Sequence, residues 1–279
     1  MKNIFKCLSI AVAILLISCD FNHPITPKDE YIGDPSDTLT PPVLKAFSVS
    51  KSNQVYFSPG NLQYHPKNNE WRFAYNQLNY VGKTNANIDT NYDGWIDLFA
   101  WGTGDNPTNL SVNPDDYQMF VDWGTNVIGN EPANKWRTLT HEEWMFILKH
   151  RPRAEELSGI ATVNGVNGMI LLPDDWNPSA DISFAKGTHV YKGVGFYSLH
   201  QTFTTEQWSK LAASGAIFLP AAGVRSDKEV LAIQERGTYW SSSVDEAYDA
   251  HCILFESNVI GTIDIYRDTG RSVRLVRDI

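Results

Sequence analysis

The chain has 279 residues, a formal net charge of −9, 20% charged residues, nine tryptophans and three cysteines. An acidic chain without a basic stripe lacks the charge that supplies most nucleic-acid affinity, which excludes nucleic acid as a partner. With Cys7 and Cys19 both near the start, Cys252 is left without a disulfide partner or a cysteine metal cluster.

In chain order, Lys2 and Lys6 precede an apolar stretch, Leu8 to Ile17. It falls well short of the roughly 20 apolar residues a spanning helix needs and reads as the core of a signal peptide. Leu16-Ile17-Ser18-Cys19 resembles the lipobox of bacterial lipoproteins. That resemblance implies a leader over 1–18, lipid on Cys19 and a membrane-anchored protein of the cell envelope, at the outer membrane. Loss of Lys2 and Lys6 would leave the mature chain more acidic still. Residues 20–45 carry Pro24, Pro27, Pro35, Pro41 and Pro42 among acids and small polar residues. Such a segment buries too little apolar surface to offset its ordering entropy, so a disordered tether is expected.

From Ala46 to Ile279 the texture is alternating and aromatic, and one domain is expected. "FSVS" and "VYFS" flank Lys51-Ser52-Asn53-Gln54 as a hairpin, and "LQYH" and "EWRFAY" read as further strands. Thr140 with Glu143 forms a capping box ahead of Trp144, Ile147 and Leu148. Thr204 and Gln207 repeat the arrangement ahead of Trp208 and Leu211, with Gly215 as the stop. Asn-Gly turns precede the apolar strand Met169 to Leu172, and "GAIFLPAAGVR" gives another strand. The last stretch reads as a meander: "GTYWSSS", "HCILFES", a turn at Gly261, "IDIYRD" and a closing "SVRLVRD".

That ending carries a resemblance. "GTYWSSS", "AHCILFES" and "RDTGRSVRLVRD" are similar to the C-terminal signature of Bacteroidetes lipoproteins of the Fibrobacter succinogenes major paralogous domain type. "FSPGNLQY", "GWIDLFAWGT", "WRTLTHEEW", "ILLPDDW" and "GAIFLPAAGVR" resemble further blocks of the same family, over residues 46–279. The resemblance implies an α+β, C-type-lectin-like fold of short antiparallel sheets, two capped helices and long loops; it implies no agreed activity. "WRTLTHEEW" is also distantly similar to a helix-opening block of formylglycine-generating enzyme (sulfatase-modifying factor) domains. Those enzymes use a pair of active-site cysteines, which a chain left with Cys252 cannot supply.

Read from the residues alone, the ending is a frame. Tyr239 and Trp240 alternate across a strand, while Arg271 and Arg277 fall on one face and Arg274 on the other. Asp245, Glu246, Asp249 and Asp268 are the expected partners of these arginines. Cys252, in an apolar alternating run, reads as a buried, inert thiol.

Two ligand signals stand out. Asp89, Asn91, Asp93 and Asp97 imitate the first nine positions of a calcium loop, but Ala100 occupies the closing twelfth position. A solvated acidic turn is therefore the first reading and calcium the alternative; no cofactor is expected. Trp95, Trp101, Trp123 and Trp176 lie in Asp-, Asn- and Gly-rich surroundings and are the candidates for an exposed sugar platform, while the calcium-lectin triplets are absent. No hydrolase motif occurs; His141, His150, His189, His200 and His251 are scattered, with His141 read as an exposed first-turn residue. Asp174 and Asp175, adjacent on a strand, point apart and do not form a glycosidase pair. The expected role is non-catalytic binding of a glycan or an envelope protein. A fimbria-like structural component and an envelope enzyme such as a glycan hydrolase are the alternatives.

Overall fold

The computed structural model describes residues 43–178, 182–187, 201–246 and 248–279. The expected leader, Cys19 and residues 20–42 of the expected tether lie outside the described residues, as do His189 and His200. Among the described residues, no helix is long and apolar enough to cross a membrane.

The sequence breaks into elements much as its alternation dictates. Strands β1 (Phe47–Ser48) and β2 (Gln54–Phe57) form the expected hairpin, and β3 (Leu62–His65) with β4 (Glu70–Phe73) forms the next. Helix α1 (His141–Met145) opens on the Thr140/Glu143 capping box. It then widens into a π-helical turn over Phe146–His150 in place of a uniform helix. The reason is Arg151: its guanidinium is buried under this turn, donating to the Ile147 and Leu157 carbonyls at 2.9 and 3.3 Å and pairing with Asp174 at 3.0 Å. A buried guanidinium must spend its donors on nearby acceptors, and here it takes a helix carbonyl.

Strands β5 (Ser158–Val163) and β6 (Val166–Leu171) are joined by Asn164-Gly165, both at positive φ, as a two-residue hairpin loop requires. The second Asn-Gly pair, Asn167-Gly168, lies inside β6 and makes no turn. Next come β7 (Gln201–Phe203), helix α2 (Thr205–Ala213) with the Thr204/Gln207 capping box, and β8 (Ile217–Pro220). Gly215, at φ 90°, follows α2 as the expected stop. β7, β5, β6 and β8 form one sheet in that order, with only the β7–β5 pair parallel.

A small hairpin, β9 (Val224–Ser226) and β10 (Glu229–Leu231), leads to the meander β11 (Gly237–Val244), β12 (Asp249–Glu256) and β13 (Val259–Tyr266). Gly261 is not the turn expected of it: it sits within β13 opposite Leu254, and the turn falls at Ser257-Asn258. Strand β14 (Val276–Asp278) ends the chain against β2, so the first and last strands of the folded region share one sheet, ordered β1-β2-β14.

Period-two alternation explains how these sheets separate three apolar cores. Ile160, Met169, Leu171, Ile217 and Leu219 face a core shared with Trp144, Ile147 and Leu148 next to α1. Their neighbours Ala161, Ile170, Leu172 and Phe218 face the opposite core, with Trp208 and Leu211 of α2. The meander divides likewise: Tyr239, Ile253 and Phe255 point into the α1 core, whereas Trp240, Ala250 and Cys252 join a third core of Trp71, Phe99, Trp101, Trp123 and Trp136. The architecture is thus mixed α+β, with mostly short antiparallel sheets and few helices.

Arg271, Arg274 and Arg277 depart from the expected carboxylate pairing. Residues 270–272 run as isolated bridges to Arg225, Phe99 and Tyr239, and 273–275 carry no strand before β14, so the face assignment by alternation fails. Arg274 is fully buried and donates to the side-chain carbonyls of Asn61 and Gln77 at 3.3 and 2.9 Å. Arg277 lies over the Tyr56 and Trp136 rings. Burial lowers Arg271 and Arg274 to about 10. Neutral amides and ring faces replace the acids because the loop residues Asn61, just before β3, and Gln77, in the turn after β4, bring amides to the buried Arg274 while Arg277 is covered by rings. The backbone carbonyls of Glu246 and Asp249 are taken instead by Arg267, at 2.6 and 3.2 Å.

Candidate functional site

The four tryptophans proposed as a surface platform do not form one. Trp101 and Trp123 are 1% and 0% exposed, Trp176 is buried beside α2, and only Trp95 is half-buried. Trp95 is itself covered, with the Arg72 guanidinium 3.6 Å from its ring centroid and the His65 ring at its edge. Polar neighbours in sequence misled the reading, because the surrounding loops fold their Asn and Asp side chains onto backbone and leave the rings to fill the core.

The calcium reading fails for a related reason. Asp89 accepts from the Asn91 backbone at 2.9 Å, and Asp93 pairs with Lys67 at 2.5 Å and His65 at 3.5 Å. Asp97 turns inward, fully buried, so these side chains do not converge on one point. Its two oxygens accept from the Val81 backbone and the Asn85 amide at 2.8 and 2.9 Å, while Asn85 Oδ1 accepts from the Asp97 and Leu98 backbones. Burial pushes the Asp97 carboxyl up from 3.8 to about 6, with these hydrogen bonds opposing the rise. A raised folded-state value means this group stabilises the fold fully below pH 3.8 and loses that contribution as pH rises through 6, a swing on the order of 3 kcal/mol. Asp97→Asn removes this titration and turns an amide NH2 toward N–H donors. Denaturant unfolding should show the variant close to wild type at pH 8 and falling behind it by roughly 3 kcal/mol at pH 4. A difference that does not change with pH would refute the buried titration.

Cys252 behaves as expected: 1% exposed, with burial pushing its thiol up to about 12. Asp174 and Asp175 fall in the turn after β6 and not on the strand expected of them; they engage Arg151 and Lys45 respectively.

The geometry draws attention elsewhere, to the loops between Trp101 and Val121. They enclose a depression of about 240 Å³ lined by Asp105, Asn106, Asn109, Asp115, Asp116 and Gln118. Trp101 forms part of its floor, held by its indole N–H on the Ser241 carbonyl at 3.0 Å. Met119, 78% exposed, stands on its rim. Asn113 caps the short turn Pro114–Tyr117, and the Tyr117 hydroxyl donates to the Ser111 carbonyl at 2.7 Å, which fixes the loop that carries Asp115 and Asp116. Arg267 ties this loop to the end of the meander: it lies over the Trp101 ring and donates to the Tyr117 and Glu246 carbonyls. Tyr248 and Tyr266, 50% and 63% exposed, stand at that same end.

Among the described residues no basic side chain lines the depression, so its field disfavours anions and suits neutral, hydroxyl-rich ligands or cations. Of the candidate residues read from sequence, only Trp101 belongs here, as floor rather than platform. The other lining residues were missed because an Asn- and Asp-rich loop looks alike whether its side chains turn outward or onto backbone. No protein-family model, no curated protein and no solved structure matches the chain.

Proposed function

We propose that this protein is a lipid-anchored envelope lipoprotein whose folded region, on a C-type-lectin-like frame, acts as a non-catalytic binding module for a neutral glycan. The loop-built depression over Trp101 carries the reading. Carboxylates and amides hydrogen-bond vicinal hydroxyls, the exposed Met119 thioether on the rim offers an apolar contact to a sugar ring, and the lack of lining cations among the described residues disfavours acidic glycans. The pairing of β14 with β2 supports a closed frame that displays loops at one end.

The test is a glycan array probed with the full-length chain in detergent, followed by calorimetry on the best neutral ligand. Asp115→Ala and Asn106→Ala should each weaken binding about tenfold or more, the loss of one or two hydrogen bonds to ligand. Binding confined to protein partners, or glycan binding indifferent to both substitutions, would move the function away from this groove.

A further inference from the structure

The meander β11-β12-β13 ends at β13 on an edge that pairs with no other strand among the described residues. Its opposite edge is closed: Ser272 donates to the Thr238 carbonyl and accepts from the Trp240 N–H, each at 3.1 Å, and Ser242 donates to the Leu139 carbonyl at 2.9 Å. The register of β13 on β12 sorts the backbone groups of the free edge. Arg267 N–H donates to the Tyr248 carbonyl at 3.2 Å, which makes that pair a hydrogen-bonded one, and Ile265, Ile263, Gly261 and Val259 follow at every second position against β12. Ile260, Thr262 and Asp264 therefore turn their N–H and C=O groups outward, with no backbone partner among the described residues. None of the eight residues Val259–Tyr266 is buried.

Natural proteins blunt such an edge with lysine, proline or a bulge, and β13 has none of the three. Its single charge, Asp264, lies opposite His251, whose Nδ1 contacts the carboxylate. The His141 ring packs on His251 with centroids 4.1 Å apart, so His141 is not the exposed first-turn residue expected from sequence. The symmetry of the strand selects the partner. When Thr262 is set antiparallel against Thr262 of a second copy, Ile260 falls opposite Asp264, and each of these outward-facing pairs can exchange both N–H···O bonds. Like charges do not meet, since the two Asp264 carboxylates then stand about 14 Å apart along the strands. On the other face Val259 meets Ile265 and Gly261 meets Ile263; a Cβ on Gly261 would touch nothing within 4 Å, which leaves room for the incoming isoleucine. Beside the axis, half-buried Met145 of α1 has its Sδ 3.9 Å from Thr262 Oγ1 and adds apolar surface. We propose that the protein self-associates through β13, two copies pairing antiparallel about Thr262 so that both meanders join in one sheet across a two-fold axis. The pairing does not depend on a ligand in the groove over Trp101.

Analytical ultracentrifugation of the full-length chain in detergent, together with cysteine cross-linking, tests this. Wild type should be dimeric at micromolar concentration. Thr262→Lys sets two ammonium groups across the axis and should weaken dimerisation at least about tenfold. Thr262→Pro should do the same, since the N–H it removes makes no bond within β12–β13. Circular dichroism like that of wild type shows that each variant keeps its fold. Cross-linking reads the register separately. Thr262→Cys should form a disulfide with its copy, because residues opposed in a hydrogen-bonded pair have Cα atoms about 5.5 Å apart, within disulfide reach. Val259→Cys should not, because in this register it lies about 20 Å from its copy. Wild type carries the same Cys7, Cys19 and Cys252 and sets the background, and chance trapping of two copies in one micelle is common to all variants. The Thr262→Cys cross-link decides the matter even where the proline variant fails to fold. A monomeric wild type would leave the edge to a strand of another protein. A dimer that survives Thr262→Lys, or that cross-links Thr262→Cys no more than Val259→Cys, would lie on another surface. Any of these results overturns the proposal.

Discussion

Val276→Asp should leave the chain unable to hold its native state under conditions where Asp278→Asn is almost silent. Val276 is fully buried between β2 and the α1 core, and its backbone exchanges hydrogen bonds with Arg137 at 2.8 and 2.9 Å. The substitution forfeits about 1.5–3 kcal/mol of apolar burial and places a carboxylate where water cannot reach it. The nearby Arg137 guanidinium is already committed to Glu143 and Asp278. A total of about 4–5 kcal/mol approaches the whole stability of an ordinary domain. Asp278→Asn removes one exposed arm of the Arg137 pairing, and exposed ion pairs contribute about 0–1 kcal/mol. Denaturant midpoints of the two variants measure the contrast. A Val276→Asp variant within about 1 kcal/mol of wild type would mean that the terminal strand does not seal the fold.

Gly124→Ala is the second large effect. A Cβ on Gly124 would lie 1.8 Å from the Trp136 carbonyl oxygen and 2.5 Å from its carbon, and both are backbone atoms that cannot rotate aside. The segment that would have to move is tied back by Asn134 N–H to the Gly124 carbonyl at 2.8 Å and runs on to Arg137, which bridges β14. Overpacking of this kind costs about 3 kcal/mol or more once the backbone has to shift. Gly261→Ala is the matched control, since a Cβ there meets nothing within 4 Å. Its melting temperature should stay near wild type, whereas a loss comparable to that of Gly124→Ala would contradict the placement of Gly261 in β13.

These predictions divide between what was legible early and what was not. The two capping boxes, the β1–β2 hairpin, the Asn164-Gly165 turn and the meander follow from signals within a dozen residues of each other, because caps and turns are local chemistry. The turn placed at Gly261 failed because glycine's permissiveness marks a possible turn without requiring one. The platform of four tryptophans failed because burial depends on what packs against a loop, and a polar neighbourhood in sequence does not report that. His141 and His251, 110 positions apart, share no local pattern that could have joined them.

By itself, then, the sequence determined the strand alternation, the capped helices and the inert Cys252, since each depends on periodicity or on groups a few bonds apart. Only the tertiary structure decided that Asp97 turns inward, that Arg274 rests on amides, and that the loops over Trp101 and the ring pair His141/His251 come together. Those outcomes depend on long-range packing, which sets burial and convergence through contacts that no spacing along the chain encodes.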